Sequence, residues 1–256
     1  MQFPKMYRVK QSLVSRPLED LEAALESGFG AAEFLEGLGG PRVAVAVGSR
    51  KIDRLPDVVA GAVRRLRGAG AEPFIVPAMG SHGGATERGQ EYVLESLGVT
   101  AASVGAPVDA SMDTVRLGRT PGGAEVFAAR SAVEADGVVL VNRVGLHTGY
   151  SGRVQSGLSK MLAVGLGKAP GARALHAHGF GAGHLIEEAA ALSLRELPPV
   201  TAVALLEDGN GRLSEVHFMP GEAVASSEPA LLEKAASMWP RIPLAGADVQ
   251  IGRAHV

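Results

Sequence analysis

Short aliphatic runs that alternate with a helical pattern constrain the fold of this chain more than any other feature. The segments RVAVAVG (42–48), PFIVPA (73–78) and DGVVLVNRV (136–144) are largely apolar, which is typical of strands that a sheet buries on both faces. Between the first two, LPDVVAGAVRRLRGAG spaces its apolar residues from Val59 to Leu66 as a helix does. This strand–helix–strand order predicts an α/β fold with a mostly parallel sheet flanked by helices.

Further segments extend the pattern along the chain. Thr86 is placed to cap the start of a helix through ERGQEYVLESLG, and Gly98 is placed to cap its end. The other predicted elements are a hairpin, two strands and a helix, at 113–129, 200–208, 213–219 and 184–197 respectively. With no internal repeat and no convincing linker, residues 5–250 are predicted to form one domain.

The composition excludes several classes of function. A chain of 256 residues that is 46% hydrophobic can bury a large core. Its net charge of −2 and 4% aromatic content give no basis for binding nucleic acid or an anionic membrane. The absence of cysteine excludes disulfides, thiolate metal sites and cysteine nucleophiles. No signal peptide and no run long enough for a membrane span are present, so we expect a cytoplasmic protein.

The last residues form a separate feature. IGRAHV (251–256) follows what reads as the start of a strand and matches the translation of a common sequencing-library adapter. We therefore expect 251–256 to be an artefact and the natural chain to continue, with an ordinary short tail as the alternative.

The segment PAMGSHGGAT (77–86) joins a predicted strand to a predicted helix. A glycine-rich turn at this position exposes backbone N–H groups that suit an anionic ligand. The small residues that are candidates to bind a cofactor are Gly80, Ser81, Gly83 and Gly84. His82 would stand among them, within close reach of a ligand; the alternative is a plain tight turn with an exposed histidine.

A second segment, 142–184, holds four of the seven histidines and two of the six lysines. Lys160 lies in the apolar context GLSKMLAVGL, where burial would lower its pKa and leave a nucleophilic amine. Taken singly, Lys160 also fits a helix residue that extends its amine to solvent, and His176 and His178 also fit surface positions. The spacing does not match the H-E-x-x-H pattern of zinc proteases.

Arg50 follows the first strand, in VGSRKIDRLP (47–56). A guanidinium at the carboxyl end of a strand can bind a carboxylate or a phosphate through two hydrogen bonds. Taken alone, this residue also fits an ordinary surface arginine.

Together these segments resemble the nickel-dependent lactate racemase family. The matching motifs, in chain order, are GSR (48–50), PAMGSHGGAT (77–86), HT (147–148), SGLSKMLAVGLGK (156–168) and LHAHGF (175–180). The resemblance covers residues 5–250 and corresponds to the family's N-terminal, cofactor-binding domain.

The resemblance implies a cofactor, the nickel pincer nucleotide (pyridinium-3,5-bisthiocarboxylic acid mononucleotide), which holds Ni²⁺ through two sulfurs and a ring carbon. Lys160 is the implied covalent attachment point. His176 is the implied protein ligand to nickel, with His178 as the alternative. Three donors from the pincer and one imidazole would give the square-planar arrangement that nickel(II) favours.

The resemblance also implies a reaction, the racemisation or epimerisation of a lactate-like 2-hydroxy acid by reversible hydride transfer. His82 and His147 would be the acid/base pair, one base for each stereoisomer, because imidazole titrates near neutral pH. Arg50 would hold the substrate carboxylate or assist with the charge of the cofactor. The implied partners are the small 2-hydroxy acid and the enzymes that mature the cofactor, with no nucleic acid and no membrane.

The sequence departs from the family pattern in two respects. Family members are longer and carry a second domain, which we expect to be absent here. Val47 stands where an acidic residue upstream of Arg50 would help orient the substrate, which leaves a larger or different 2-hydroxy acid open. The alternative function is a non-catalytic nucleotide- or metal-binding module of the same fold. An NAD-dependent dehydrogenase is disfavoured, since no G-x-G-x-x-G follows the first strand.

Overall fold

A computed structural model describes residues 10–30, 40–179 and 181–241 of the chain. The expected artefact at 251–256 lies outside these residues. The described strands are β1 Arg42–Val47, β2 Glu72–Pro77, β3 Thr114–Arg119, β4 Glu125–Ala129, β5 Gly137–Arg143, β6 Val200–Glu207 and β7 Leu213–Pro220. Five of them form one central sheet in the order β2-β1-β5-β6-β7, and β3 and β4 form a separate hairpin.

The central sheet is parallel except at one edge. β1 pairs in parallel with β2 and β5, and β5 pairs in parallel with β6. Only β7, which follows β6 through a short turn, pairs antiparallel. The predicted α/β fold with a mostly parallel sheet is confirmed, and β3 and β4 lie where the sequence predicts a hairpin.

The helices pack on both faces of this sheet. They are α1 Leu21–Phe29, α2 Leu55–Gly68, α3 Glu87–Ser96, α4 Ala101–Val104, α5 Arg130–Val133, α6 Leu158–Lys160, α7 Lys168–His176, α8 His184–Glu196 and α9 Val224–Met238. A π-helical turn, Met161–Gly165, connects α6 to α7. In the described part of the chain, no helix is long and apolar enough to cross a membrane.

The alternation of side chains along β1 divides the core into two layers. Val43, Val45 and Val47 point to one face, where they join a cluster that includes Leu25 of α1 and Val59 of α2. Each of these side chains is fully buried, and burial of a side chain of this size contributes about 1.5–3 kcal/mol. This layer fixes α1 and α2 against the sheet.

The opposite face of β1 carries small residues. Ala44 and Ala46 share a cluster with Leu158, Leu162 and Leu232, which come from α6, the π-helical turn and α9. Alanine leaves room for a close approach, so the segment that carries Lys160 packs directly on the sheet. This segment is therefore part of the core and not a surface loop.

Candidate active site

The parallel register brings three loops to the same edge of the sheet. Val47, the last residue of β1, lies opposite Pro77 of β2 and Val141 of β5. The loops after these strands therefore leave the sheet side by side, at the carboxyl edge where α/β folds bind their ligands. These loops carry Arg50, His82 and His147, which the sequence singled out.

The loop after β2 has the tight conformation predicted from its glycines. Gly80, Gly83 and Gly84 have φ angles of +60°, +66° and +66°, the left-handed region that glycine adopts without strain. A Cβ on Gly83 would lie 2.4 Å from the carbonyl carbon of Gly89, so the loop also has no space for a side chain there. As predicted, Thr86 caps α3, and its hydroxyl accepts the Gly89 N–H.

His82 stands on this loop with its ring against the loop that follows β1. Its Nδ1 lies 2.5 Å from the hydroxyl oxygen of Ser49. Because a hydroxyl both donates and accepts, this contact allows the ring proton on either nitrogen. Burial is the main cause that lowers the pKa of His82, and the charges of Arg50, Lys160 and His176 lower it further.

His147 is held in a different way. Its Nδ1 accepts the backbone N–H groups of Gly149 (3.0 Å) and Tyr150 (2.9 Å). Both partners can only donate, so Nδ1 is the acceptor and the proton of the neutral ring is on Nε2. Burial, followed by nearby positive charge, lowers the pKa of His147 to about 4.

The loop that carries His147 is closed at its base. Gly145 and Ser156 exchange two backbone hydrogen bonds, with N···O distances of 2.8 and 3.2 Å. Within the loop, the Gln155 side-chain oxygen accepts the His147 backbone N–H at 3.0 Å. These bonds fix the conformation in which Nδ1 meets two amide groups.

Lys160 lies at the end of α6, where the backbone changes to the π-helical turn. Turns of this kind occur often at functional sites. The side chain is half-buried, and its amine lies 4.7 Å from the centre of the Tyr150 ring. Burial, and then the charge of Arg50, lowers the pKa of Lys160 to about 8, so a fraction of the amine is uncharged near neutral pH.

A buried carboxyl group anchors the helix that presents Lys160. Glu228 of α9 accepts the backbone N–H of Ser159 at 2.8 Å and the Ser159 hydroxyl at 2.5 Å. Burial raises the pKa of Glu228, and in the described structure its Oε1 has no hydrogen-bond partner. A Cβ on Gly157 would lie 1.9 Å from that oxygen, so glycine is needed where α6 begins.

Tyr150 is the buried centre of the site. Its ring lies 5.1 Å from the His147 ring and 6.3 Å from the His176 ring, between centroids. Together with the Lys160 contact, these distances place three predicted site residues around one aromatic side chain.

The two candidate nickel ligands differ in their surroundings. His176 is the last residue of α7, and burial and the charge of Lys160 lower its pKa. Its charge in turn lowers the pKa of His82 and His147. Both residues are exposed, but His178, two residues beyond α7, is not among the charges that shift these groups. The structure thus brings His176 into the site and leaves His178 outside it.

Arg50 is exposed on the loop after β1, and the rest of this loop is anchored to β6 and β7. The Asp53 N–H donates to Glu207 at 2.8 Å, and the Asp53 carboxylate accepts the Leu213 N–H at 3.0 Å. Asp53 is therefore engaged in holding the loop and is not directed to a ligand beside Arg50.

Basic side chains accumulate where these segments meet. The members of this basic cluster are Arg50, His82, His147, Lys160 and His176. After burial, the positive charges of other members are the causes that lower the pKa values of the four titrating residues. Among the described residues, no carboxylate contributes to these shifts. An anionic ligand would offset the mutual repulsion of the cluster.

Sequence reasoning missed the residues that support this cluster. Ser49 contacts His82, Tyr150 contacts Lys160, and Glu228 binds Ser159, the residue before Lys160, yet none of the three has a side-chain type or spacing that indicates a role. Ser49 lies within the GSR motif (48–50) and Tyr150 two residues after the HT motif (147–148), and this placement was the only available signal. Glu228 is 69 positions away from Ser159, so nothing local in the sequence connects them.

The fold and the site together define a class: an α/β protein with a basic, histidine-rich cluster at the carboxyl edge of its parallel strands. Comparison with known families is more specific. The model of the lactate racemase N-terminal domain matches residues 5–179, and the chain belongs to this family. The resemblance predicted from the motifs is confirmed.

Comparison with solved structures gives the same fold. The lactate racemase apoprotein from Thermoanaerobacterium thermosaccharolyticum matches with a TM-score of 0.54 and 15% sequence identity, over 84% of this chain and 55% of that chain. The chain therefore spans about half the length of this relative. Comparison with curated proteins by sequence gave no match.

Proposed function

We propose that this chain is the cofactor-binding part of a nickel-dependent isomerase that racemises or epimerises a small 2-hydroxy acid. The observation that carries the proposal is the position of Lys160. Its amine, with a lowered pKa, lies within a cluster of one arginine and three histidines whose pKa shifts involve no described carboxylate. Membership of the lactate racemase N-terminal domain family supports this assignment.

The residues of the cluster fit the nickel pincer nucleotide. Lys160 would attach it, because an uncharged amine can attack an acyl carbon, which loses its leaving group while the nitrogen loses a proton. His176 would supply the protein ligand to nickel. Among the described residues, no three potential ligand side chains are grouped around a metal position, so the remaining donors would come from the cofactor itself. Its negative charges would offset the positive cluster, with Gly80, Ser81, Gly83 and Gly84 offering backbone N–H groups. When bound, the cofactor supplies a reversible hydride acceptor.

His82 is the residue prepared to accept a proton. With the Nδ1 proton donated to the Ser49 hydroxyl, Nε2 presents a lone pair to the substrate hydroxyl group. The lowered pKa keeps the ring neutral at pH 7, which a general base requires. The substrate hydroxyl proton would therefore move to Nε2 of His82.

The neutral ring of His147 is held in the opposite tautomer. Its proton is on Nε2, so the ring donates a hydrogen bond to the substrate oxygen instead of accepting a proton. To act as the base for the other stereoisomer, His147 must give up two backbone hydrogen bonds. Arg50 would bind the substrate carboxylate and fix which face is presented.

The test is to co-express the full chain with cofactor-maturation enzymes and measure its intact mass and nickel content. Lys160→Ala is compared with wild type and with Lys51→Ala, a change of an exposed lysine near the same sheet edge. We expect a covalent mass increment and bound nickel in wild type and Lys51→Ala, and neither in Lys160→Ala. Retention of both by Lys160→Ala would contradict the attachment.

Activity is then measured by chiral chromatography of single enantiomers from a panel of 2-hydroxy acids. Formation of the opposite enantiomer supports the isomerase. Bound cofactor without any conversion across the panel would instead identify a non-catalytic binding module.

A further inference from the structure

A second lysine, which the proposed chemistry does not use, is buried beside the site. Lys168 opens α7 and is 0% exposed, a rare state for lysine unless its amine is paired. Its φ angle is +51°, which is unfavourable for a residue with a side chain. The fold therefore holds Lys168 in place although its amine would be better solvated in water and its backbone would prefer a negative φ angle.

The amine of Lys168 begins a chain of hydrogen bonds that leads to the loop after β2. Its Nζ donates to the Gln90 side-chain oxygen at 2.9 Å. Gln90, also 0% exposed, donates from Nε2 to the carbonyl oxygen of Gly80 at 2.9 Å and of His82 at 3.4 Å. Two buried side chains thus connect the lysine-bearing segment to the backbone on either side of Ser81.

A direct contact between the two segments runs parallel to this chain. The Gly80 N–H donates to the carbonyl oxygen of Gly165, in the π-helical turn, at 3.0 Å. A Cβ on Gly165 would lie 2.5 Å from the Ala78 carbonyl oxygen, so the backbones are already in close contact. Gly80 is therefore held from both of its backbone polar groups, one by Gly165 and one by Gln90.

We propose that Lys168 and Gln90 are positioning residues that fix the loop carrying His82 relative to the segment carrying Lys160. Lys168 orients the Gln90 amide, because only its side-chain oxygen can accept from the amine, and this leaves the N–H group for the loop. That the positioned group serves catalysis rests on the function proposed above. The positioning itself does not, and it can be measured on the chain alone.

The network is suited to specify a geometry more than to add stability. An apolar side chain of similar size would fill the position of Lys168 without the cost of burying an amine, and burial lowers the pKa of that amine to about 8. A fully satisfied buried network, in contrast, admits one arrangement of its members. The arrangement observed is the one that holds Gly80 and His82.

The experiment compares Lys168→Met with the double variant Lys168→Met/Gln90→Met. The single change leaves the Gln90 oxygen buried without a partner, which destabilises the fold. The double change replaces both side chains by apolar groups of similar size, and it should recover most of that stability. Ser193→Ala is the matched control, because it removes another buried hydrogen bond to the same segment, from the Ser193 hydroxyl to the Leu162 carbonyl at 3.2 Å.

Three quantities are measured on each variant without cofactor. They are the midpoint of thermal unfolding, the hydrogen exchange rate of the Gly80 amide, and the ring NMR signals of His82. We expect the double variant to unfold near the wild-type temperature while its Gly80 amide exchanges about tenfold faster and its His82 signals shift or broaden. Ser193→Ala should leave both local signals unchanged.

Two results would overturn the proposal. One is a double variant in which stability, Gly80 exchange and the His82 signals all return to wild-type values. The other is a double variant that does not fold, because the network would then be needed for the fold itself. Neither result bears on the attachment of cofactor to Lys160, so this proposal can fail while the proposed function stands.

Discussion

The loops that carry His82 and His147 hold the same type of side chain in different ways. The Nδ1 of His82 faces the Ser49 hydroxyl, which can donate or accept a hydrogen bond. The Nδ1 of His147 faces the N–H groups of Gly149 and Tyr150, which can only donate. His82 can thus place its proton on either nitrogen, whereas His147 is held with its proton on Nε2.

This difference shows that the bonding capacity of the partner, more than the position of the ring, determines what a histidine can do. Protonation of His147 at Nδ1 would break two backbone hydrogen bonds. Protonation of His82 at the same atom only requires the Ser49 hydroxyl to turn. The site is therefore asymmetric, because the His82 ring can present a lone pair at Nε2 whereas the His147 ring donates from Nε2.

The largest expected effect is a difference in activity between substitutions of His82 and of His147. In the loaded chain, His82→Gln removes the base proposed above and should lower kcat/KM by about 10²–10⁴-fold. His147→Gln retains an N–H donor near Nε2 and should lower it by about tenfold or less. Because enantiomers have an equilibrium constant of 1, each loss should be equal in the two directions of a racemisation. Losses of the same size in both variants would contradict the asymmetry.

The second effect is the pH dependence of stability. The unfolded chain protonates His147 near its usual pKa of 6.5, and the folded chain only near 4. Between these values the unfolded state binds more protons, so the free energy of unfolding should fall as the pH is lowered from about 6.5 to about 4. Thermal unfolding of wild type and His147→Gln across this range checks the prediction. Stability should fall less steeply with decreasing pH in His147→Gln than in wild type. Parallel curves for the two proteins would contradict the lowered pKa of His147.

A smaller effect is expected from Ser49→Ala. The change removes the partner of His82 Nδ1 and touches nothing at His147. We expect kcat/KM of the loaded enzyme to fall by about tenfold, the size of one hydrogen bond, while the His147 ring signals stay in place. Full activity in Ser49→Ala would show that the hydroxyl does not prepare the base.

The smallest effect concerns Glu228, which supports α6 through its hydrogen bonds with Ser159. Glu228→Gln keeps the shape of the side chain and an oxygen that can accept both Ser159 donors, so it should change the free energy of unfolding at pH 7 by less than about 1 kcal/mol. Glu228→Ala leaves the Ser159 donors unpaired and opens a cavity, and should cost about 2 kcal/mol or more. Denaturant unfolding of both variants makes this comparison, and equal losses would contradict the support that the Glu228 oxygen gives to α6 through Ser159.

The central fold could be predicted from sequence because its strands are marked locally. The strand runs that begin at Arg42, Glu72 and Gly137 are dominated by buried aliphatic residues, and the glycines after them mark the turns. The secondary structure from α6 through α7 was harder to predict, because the α6, π-helical and α7 parts are each short and no single hydrophobic period describes all three. α1 and α9 were also missed, although α1 carries an N-cap signal at Asp20.

The site was predictable only in part, because some of its features depend on contacts that form only in the folded chain. Lys160, His82 and His147 stand in motifs whose residue types carry chemistry. Their roles in the reaction stay predictions until the variants are measured. The tautomer of His147 depends on backbone N–H groups of the folded loop, and the support from Glu228 depends on a contact between distant parts of the chain. Neither is encoded in a short stretch of sequence.

The asymmetry of the two histidines is tested most directly by NMR of the ring nitrogens in the full chain without cofactor, followed from pH 8 to pH 4. We expect His147 to carry its proton on Nε2 and to stay neutral until the pH approaches about 4. His82 should take up its second proton at a higher pH, because only a hydroxyl must turn to permit it. A His147 ring with its proton on Nδ1, or one that titrates before His82, would contradict this expectation.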